Sequence, residues 1–230
     1  GTHPNNAVIF RNCKGGIGGD GQFETSNRGV DFGQWSLNLV NGAIHFESAA
    51  GGTSVSGGYH HGVYIGSGQS VSAQTIVAQD CMGGAGNGNN IGFYLAGGTL
   101  GSSFTRSIAI TAGSKGLGSQ EIGIVVDNRG GTVGTINAGS NAAISLNGTG
   151  GASAKDDGTL NCGISFDGAL LTAGGGDANL NTMTIVGNGV GTAQITSAVS
   201  VNVTNAGGGT AAGAGVAVPR RRYRRKIRWD

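Results

Sequence analysis

One phrase returns five times along this chain: Asn27-Arg28-Gly29-Val30-Asp31-Phe32, His60-His61-Gly62-Val63-Tyr64-Ile65, Asn90-Ile91-Gly92-Phe93-Tyr94-Leu95, Glu121-Ile122-Gly123-Ile124-Val125-Val126 and Asn161-Cys162-Gly163-Ile164-Ser165-Phe166. The shared glycine recurs at intervals of 33, 30, 31 and 40 residues. Repeats in this range mark a solenoid, whose units cannot bury an apolar face alone and must stack on one another. Such a rod is first a scaffold or a binding surface, and less often an enzyme.

Each repeat carries two further apolar steps. The second reads Leu37-Asn38-Leu39, Val71, Thr99-Leu100, Thr132-Val133 and Leu170-Leu171. The third alternates cleanly, as Ile44-His45-Phe46, Ile76-Val77-Ala78, Ile108-Ala109-Ile110, Ile144-Ser145-Leu146 and Met183-Thr184-Ile185. Val8-Ile9-Phe10 reads as the same third strand from a truncated first coil, and 199–203 as the start of a last one. A period of two sends alternate side chains inward and outward. Gly, Asn and Ser fill the corners, where glycine tolerates backbone shapes other residues resist. The 49 glycines come with only 2 prolines and without a period of three, which excludes collagen. Low-complexity disorder fits poorly with periodic apolar residues that make up 37% of the chain.

The expectation is an all-β chain folded as a right-handed, three-sided parallel β-helix of about six coils, with a basic C-terminal tail. Right-handed crossovers are the rule for parallel strands. At about 4.8 Å per coil the rod would be roughly 30 Å long. Residues 1–26 form a partial coil, 27–206 the repeats, 207–218 a Gly/Ala-rich linker and 219–230 the tail. The inward columns of the first face are Val30/Phe32, Val63/Ile65, Phe93/Leu95, Ile124/Val126 and Ile164/Phe166. Two residues before each glycine stand Asn27, His60, Asn90, Glu121 and Asn161, an asparagine-type ladder at one corner that would satisfy backbone groups.

Segments such as Gly86-Asn87-Gly88-Asn89-Asn90-Ile91-Gly92-Phe93-Tyr94-Leu95 and Ala143-Ile144-Ser145-Leu146-Asn147-Gly148-Thr149-Gly150-Gly151 resemble the repeats of bacterial surface exoproteins of the filamentous-haemagglutinin and autotransporter-passenger type. The likeness is one of repeat style, over about residues 27–194. It implies a β-helix, secretion to the outside or surface of a bacterial cell, and adhesion or surface assembly. No secretion domain, signal peptide, membrane barrel or run of 18 apolar residues is read in the sequence, so no membrane span is expected and the chain reads as a mature or excised piece. A cytoplasmic β-helix is the competing reading.

Little in the composition points to catalysis. Cys13, Cys81 and Cys162 lack metal spacing and read as small buried residues. Gly15-Gly16-Ile17-Gly18-Gly19-Asp20-Gly21-Gln22-Phe23 partly matches a calcium-binding β-roll repeat, but the next candidate has glycine where the aspartate should stand, so a glycine-rich corner is the plainer reading. Asp156-Asp157 is the one adjacent carboxylate pair, set in an insertion; glycoside cleavage needs two carboxylates at a set separation. The pair also reads as an ordinary polar turn. Among His3, His45, His60 and His61 no third ligand joins the tandem pair. No metal, cofactor or catalytic residue is assigned.

Two features favour binding. Tyr64 and Tyr94 fall one coil apart on the outer side of the first face, either as an aromatic step for stacking a ligand or as a ladder that stabilises the sheet. The tail Arg220, Arg221, Arg222, Tyr223, Arg224, Arg225, Lys226, Arg228 and Trp229 holds 7 of the 14 Lys and Arg. With Asp230 it carries +6, so the net charge of +2 leaves −4 on the body. This segment suits self-association or an acidic polymer, against the blander readings of a solubilising tail or a processing remnant. No fold for specific nucleic-acid recognition accompanies it. The open ends of a β-helix invite head-to-tail stacking. The expected function is a non-enzymatic, secreted structural or adhesive solenoid, with itself as first partner and surface glycans or acidic polymers as further ones. The alternative is a carbohydrate-active enzyme, a polysaccharide lyase or glycoside hydrolase on a pectin-lyase-like β-helix.

Overall fold

The computed structural model describes residues 6–17, 27–53, 58–86, 88–114, 121–139, 142–151, 163–167, 170–173, 182–188 and 201–204. They form strands and turns without a helix, so none of them makes a helix long and apolar enough to cross a membrane. β1 (Ala7–Arg11) comes first, then rungs of three: β2 (Val30–Phe32), β3 (Leu37–Asn38) and β4 (Ala43–Glu47); β5 (Val63–Ile65), β6 (Ser70–Ser72) and β7 (Thr75–Gly83); β8 (Ile91–Ala96), β9 (Thr99–Gly101) and β10 (Ser107–Ser114). The fourth rung holds β11 (Ile122–Arg129), β13 (Thr135–Ala138) and β14 (Ala143–Thr149), with β12 (Thr132–Val133) as an extra strand. β15 (Ile164–Asp167), β16 (Leu170–Ala173) and β17 (Thr182–Asn188) make the fifth, and β18 (Val201–Thr204) follows.

These strands stack into three parallel sheets. The first face orders β2-β5-β8-β11-β15, the second β3-β6-β9-β13-β16, and the third β1-β4-β7-β10-β14-β17-β18. The chain is therefore a three-sided parallel β-solenoid. From the first rung to the fifth the described strands make about four turns.

Registry follows the period-two pattern. Val30, Val63, Phe93, Ile124 and Ile164 share one column of the first face; Phe32, Ile65, Leu95, Val126 and Phe166 share the next. All ten are buried. The second face adds Val71, Leu100 and Ile136, and the third adds Ile44, Ile76, Ile108 and Ile144. Together they make one continuous core along the rod. Each such side chain fully buried contributes about 1.5–3 kcal/mol. Toward the N-terminal end the core is aromatic. Phe46 stacks on Phe10 with centroids 5.3 Å apart and meets Phe32 and Phe93 edge-on, each at 6.1 Å.

The recurring glycine has a steric cause. A Cβ on Gly29 would lie 2.6 Å from the Ala50 oxygen, and one on Gly62 2.5 Å from the Gly92 oxygen. On Gly92 it would lie 2.5 Å from the Gly113 oxygen, and on Gly123 2.5 Å from the Thr149 nitrogen. At this corner the start of the first face presses against the end of the third, and no side chain fits between them. A second corner is read from backbone shape. Asn12, Ser48 and Asp80 directly follow the registered Arg11, Glu47 and Gln79, and all three are left-handed, with φ of 55°, 56° and 53°. The next rung loses this extra residue, because Ile110 pairs Ala78 while Ala112 pairs Cys81.

One strand departs from expectation. Thr132–Val133 does not lie on the second face; β12 turns back antiparallel on the end of β11, with Arg129 opposite Thr132. The two residues between them, Gly130 and Gly131, have φ of +64° and +79°, the shape of a tight hairpin turn. The second-face strand is instead β13, where Ile136 takes the column of Leu100.

Candidate functional site

The outer side of the first face carries the chemistry. Asp31, Tyr64, Tyr94, Val125 and Ser165 stand in one register column, because each is flanked by inward-facing neighbours. This is the column read from the sequence, but its middle is closed. Tyr94 is only 3% exposed and joins Ile91, Ala96, Ile122 and Val125 in an apolar cluster outside the main core, with Tyr64 packed on its edge. The Tyr94 hydroxyl donates to Asp127 Oδ2 at 2.7 Å. Burial, with the nearby Asp127 charge, pushes that hydroxyl well above the usual tyrosine range. The two tyrosines meet edge-on at 5.5 Å, as neighbours in a ladder do. Of the pair, only Tyr64 retains appreciable exposure.

His61 binds this ladder together. Its ring stacks on Tyr64 at 5.8 Å, meets Tyr94 edge-on at 5.0 Å and meets Tyr59 edge-on at 6.5 Å. Burial holds the imidazole well below its ordinary pKa, and electrostatic repulsion from Arg28, and to a lesser degree from His60 and Arg129, adds to the effect. Neutral His61 is thus an aromatic spacer. Arg28 lies 3.5 Å above the Tyr64 ring and Arg129 5.5 Å from the Tyr94 ring, both as cation–π contacts.

The corner ladder is present where it is described. The His60 backbone N–H donates to Asn90 Oδ1 at 3.3 Å, and Asn90 Nδ2 donates to Glu121 Oε1 at 2.6 Å. The Ser114 hydroxyl donates to Glu121 Oε2. His60, Asn90 and Glu121 are all buried, so hydrogen bonds between rungs hold a carboxylate inside the corner. The tandem histidines therefore serve different neighbours. Among the described residues no group of three His, Cys, Asp or Glu lies close enough to hold a metal ion. Cys81 is buried and free in the core, with burial pushing its thiol up to about 12; Cys13 is free and partly buried. His45 lies on the third face, 4.0 Å from Glu47, which also pairs Arg11 at 2.6 Å.

At the N-terminal end of the same outer column the surface opens. A cleft of about 400 Å³ is lined by Arg28, Asp31, Gly33, Gln34, Trp35 and Tyr64. Asp31 is its anchor: Oδ1 accepts the Gly33 N–H at 2.6 Å and Oδ2 accepts Arg28 at 2.8 Å. Trp35 stands on the corner between β2 and β3 and is 73% exposed. The repeat pattern does not reveal Trp35, since no other rung has an aromatic residue there. Its one signal is a large aromatic side chain in a turn. The tail residues Arg220 to Trp229 lie outside the described residues, as do His3, Asp20, Asp156, Asp157, Asn161 and Cys162.

No protein-family model, curated protein or solved structure matches this chain, so the β-solenoid and its surface are read from their own geometry.

Proposed function

We propose that this chain is a non-enzymatic structural and adhesive rod, working outside the cell or on a bacterial surface, whose copies associate end to end. One observation carries the reading. At the N-terminal rim β1, β2 and β3 pair only with β4, β5 and β6 among the described residues, and this rim has the same three-sided outline as every rung above it. A parallel ladder with such an edge is a template for another copy, and head-to-tail contact of this kind does not close on itself. The polar and aromatic groups of the middle rungs support the same reading, because the Asn90 amide is bonded to Glu121 and the Tyr94 hydroxyl to Asp127. The basic tail, at +6 against −4 on the rest of the chain, supplies charge for an electrostatic attraction between copies. Placement outside the cell rests on the resemblance in repeat style.

Sedimentation velocity of the full chain, with and without residues 220–230, tests this at low and high salt. Large species that shrink when the tail is removed or salt is raised are expected, since exposed charges are screened beyond about 10 Å at 0.1 M salt. Monomers in every condition would overturn it.

A further inference from the structure

We infer that the cleft bounded by Arg28, Asp31, Gln34, Trp35 and Tyr64 is a binding site for an uncharged sugar, a short stretch of neutral oligosaccharide. This rests on the adhesive half of the reading above and gives it a place. The cleft, at about 400 Å³, falls within the roughly 300–1,000 Å³ of small-ligand sites. Its composition selects the ligand class. Trp35, 73% exposed, is an indole plane standing clear of the core, and such planes pack on the C–H face of a pyranose. Beside it stand a carboxylate and an amide, the groups that read paired hydroxyls, since one accepts and the other both accepts and donates.

The charge balance excludes the acidic alternative. Arg28 is matched by Asp31 at 2.8 Å and lies 3.5 Å above the Tyr64 ring, so the cleft carries no net charge to attract a uronate or sulfate. Asp31 is also ready for a ligand. Its two oxygens accept from Gly33 and Arg28, which fixes the carboxylate's plane, yet its side chain is still 49% exposed. A carboxylate oxygen has two lone pairs, so each keeps one for a sugar hydroxyl. An apolar peptide segment would strip water from Asp31 and Gln34 without replacing those bonds. A sugar replaces them. The equivalent corner of the second rung is built of Ser67, Gly68 and Gln69, with no aromatic plane, so that rung does not repeat the site.

The test is isothermal titration of the full chain with maltotriose, cellotriose, chitotriose and mannotriose, and with trigalacturonate as the anionic counterpart. At least one neutral trisaccharide should bind saturably, Trp35→Ala should weaken it by about tenfold or more, and Gln34→Ala should weaken it less. Gln34→Ala keeps the test open if Trp35→Ala does not fold. Failure of every neutral trisaccharide, undiminished binding by Trp35→Ala and Gln34→Ala, or tighter binding of trigalacturonate would each overturn the assignment. Sedimentation of the same samples separates the two readings: rods that assemble without binding sugar lose only the site, and monomers that bind sugar lose only the assembly.

Discussion

The N-terminal rung and the third rung of the first face differ on one side only. Inward, Val30 and Phe32 occupy the same columns as Phe93 and Leu95, and all four are buried. Outward, the N-terminal rung is open, with an exposed Trp35 and a half-exposed Asp31 beside a cleft. The third rung is shut, with Tyr94 tied to Asp127 and covered by His61 and Arg129. Inward residues are held by stacking, because each needs an apolar match above and below. Outward residues answer to no such demand and are free to diverge. Binding on a solenoid is therefore to be sought where the outer side breaks from its neighbours.

The largest expected effect sits at the inner corner. Gly92→Ala places a methyl 2.5 Å from the Gly113 oxygen and 2.6 Å from the Cys81 oxygen, so a loss of more than about 4 kcal/mol, or failure to fold, is expected in denaturant titration. Gly131→Ala, in the outer hairpin, meets nothing within 4 Å and strains only a φ of +79°, for about 1–2 kcal/mol. Equal costs at the two glycines would break the contrast. Next comes the buried ladder. Asn90→Ala removes a donor to Glu121 and the acceptor for the His60 N–H, and should cost about 2–4 kcal/mol.

The shut outer cluster should show in pH dependence. His61 is held neutral in the fold, well below the 6.5 it would have unfolded. Below that value the unfolded chain binds the proton and the folded chain does not. Its contribution is therefore whole above pH 6.5 and is lost as pH falls, at up to about 1.4 kcal/mol per pH unit. His61→Phe keeps the ring and removes the proton, so its stability should fall less steeply between about pH 7 and pH 5 in paired titrations. Parallel slopes would show that His61 is not sealed in. The smallest effect is expected at the open end: Trp35→Ala should shift stability by less than about 0.5 kcal/mol, because the ring is mostly in solvent. A larger loss would mean that Trp35 is part of the packing.

The inner columns are legible in the sequence because period-two alternation and a fixed glycine spacing leave one register that buries Val63, Phe93 and Ile124 together. The corner ladder through Asn90 and Glu121 is legible for the same reason. Tyr94 is another matter. Its burial depends on His61, Asp127 and Arg129, each about thirty residues away in the chain, and on no local pattern. Thr132–Val133 misleads because its apolar step falls at the right spacing, while Gly130-Gly131 before it makes a hairpin. Trp35 stays hidden because a reading built on repeats discards what occurs once.

The rungs stack in register within one rod, and we propose that this ladder continues from copy to copy. Electron microscopy and fibre diffraction of the purified full chain at low salt test that most directly. The expected result is filaments one rod wide with a reflection near 4.8 Å along the fibre axis. Dispersed single rods at every concentration and salt would contradict it.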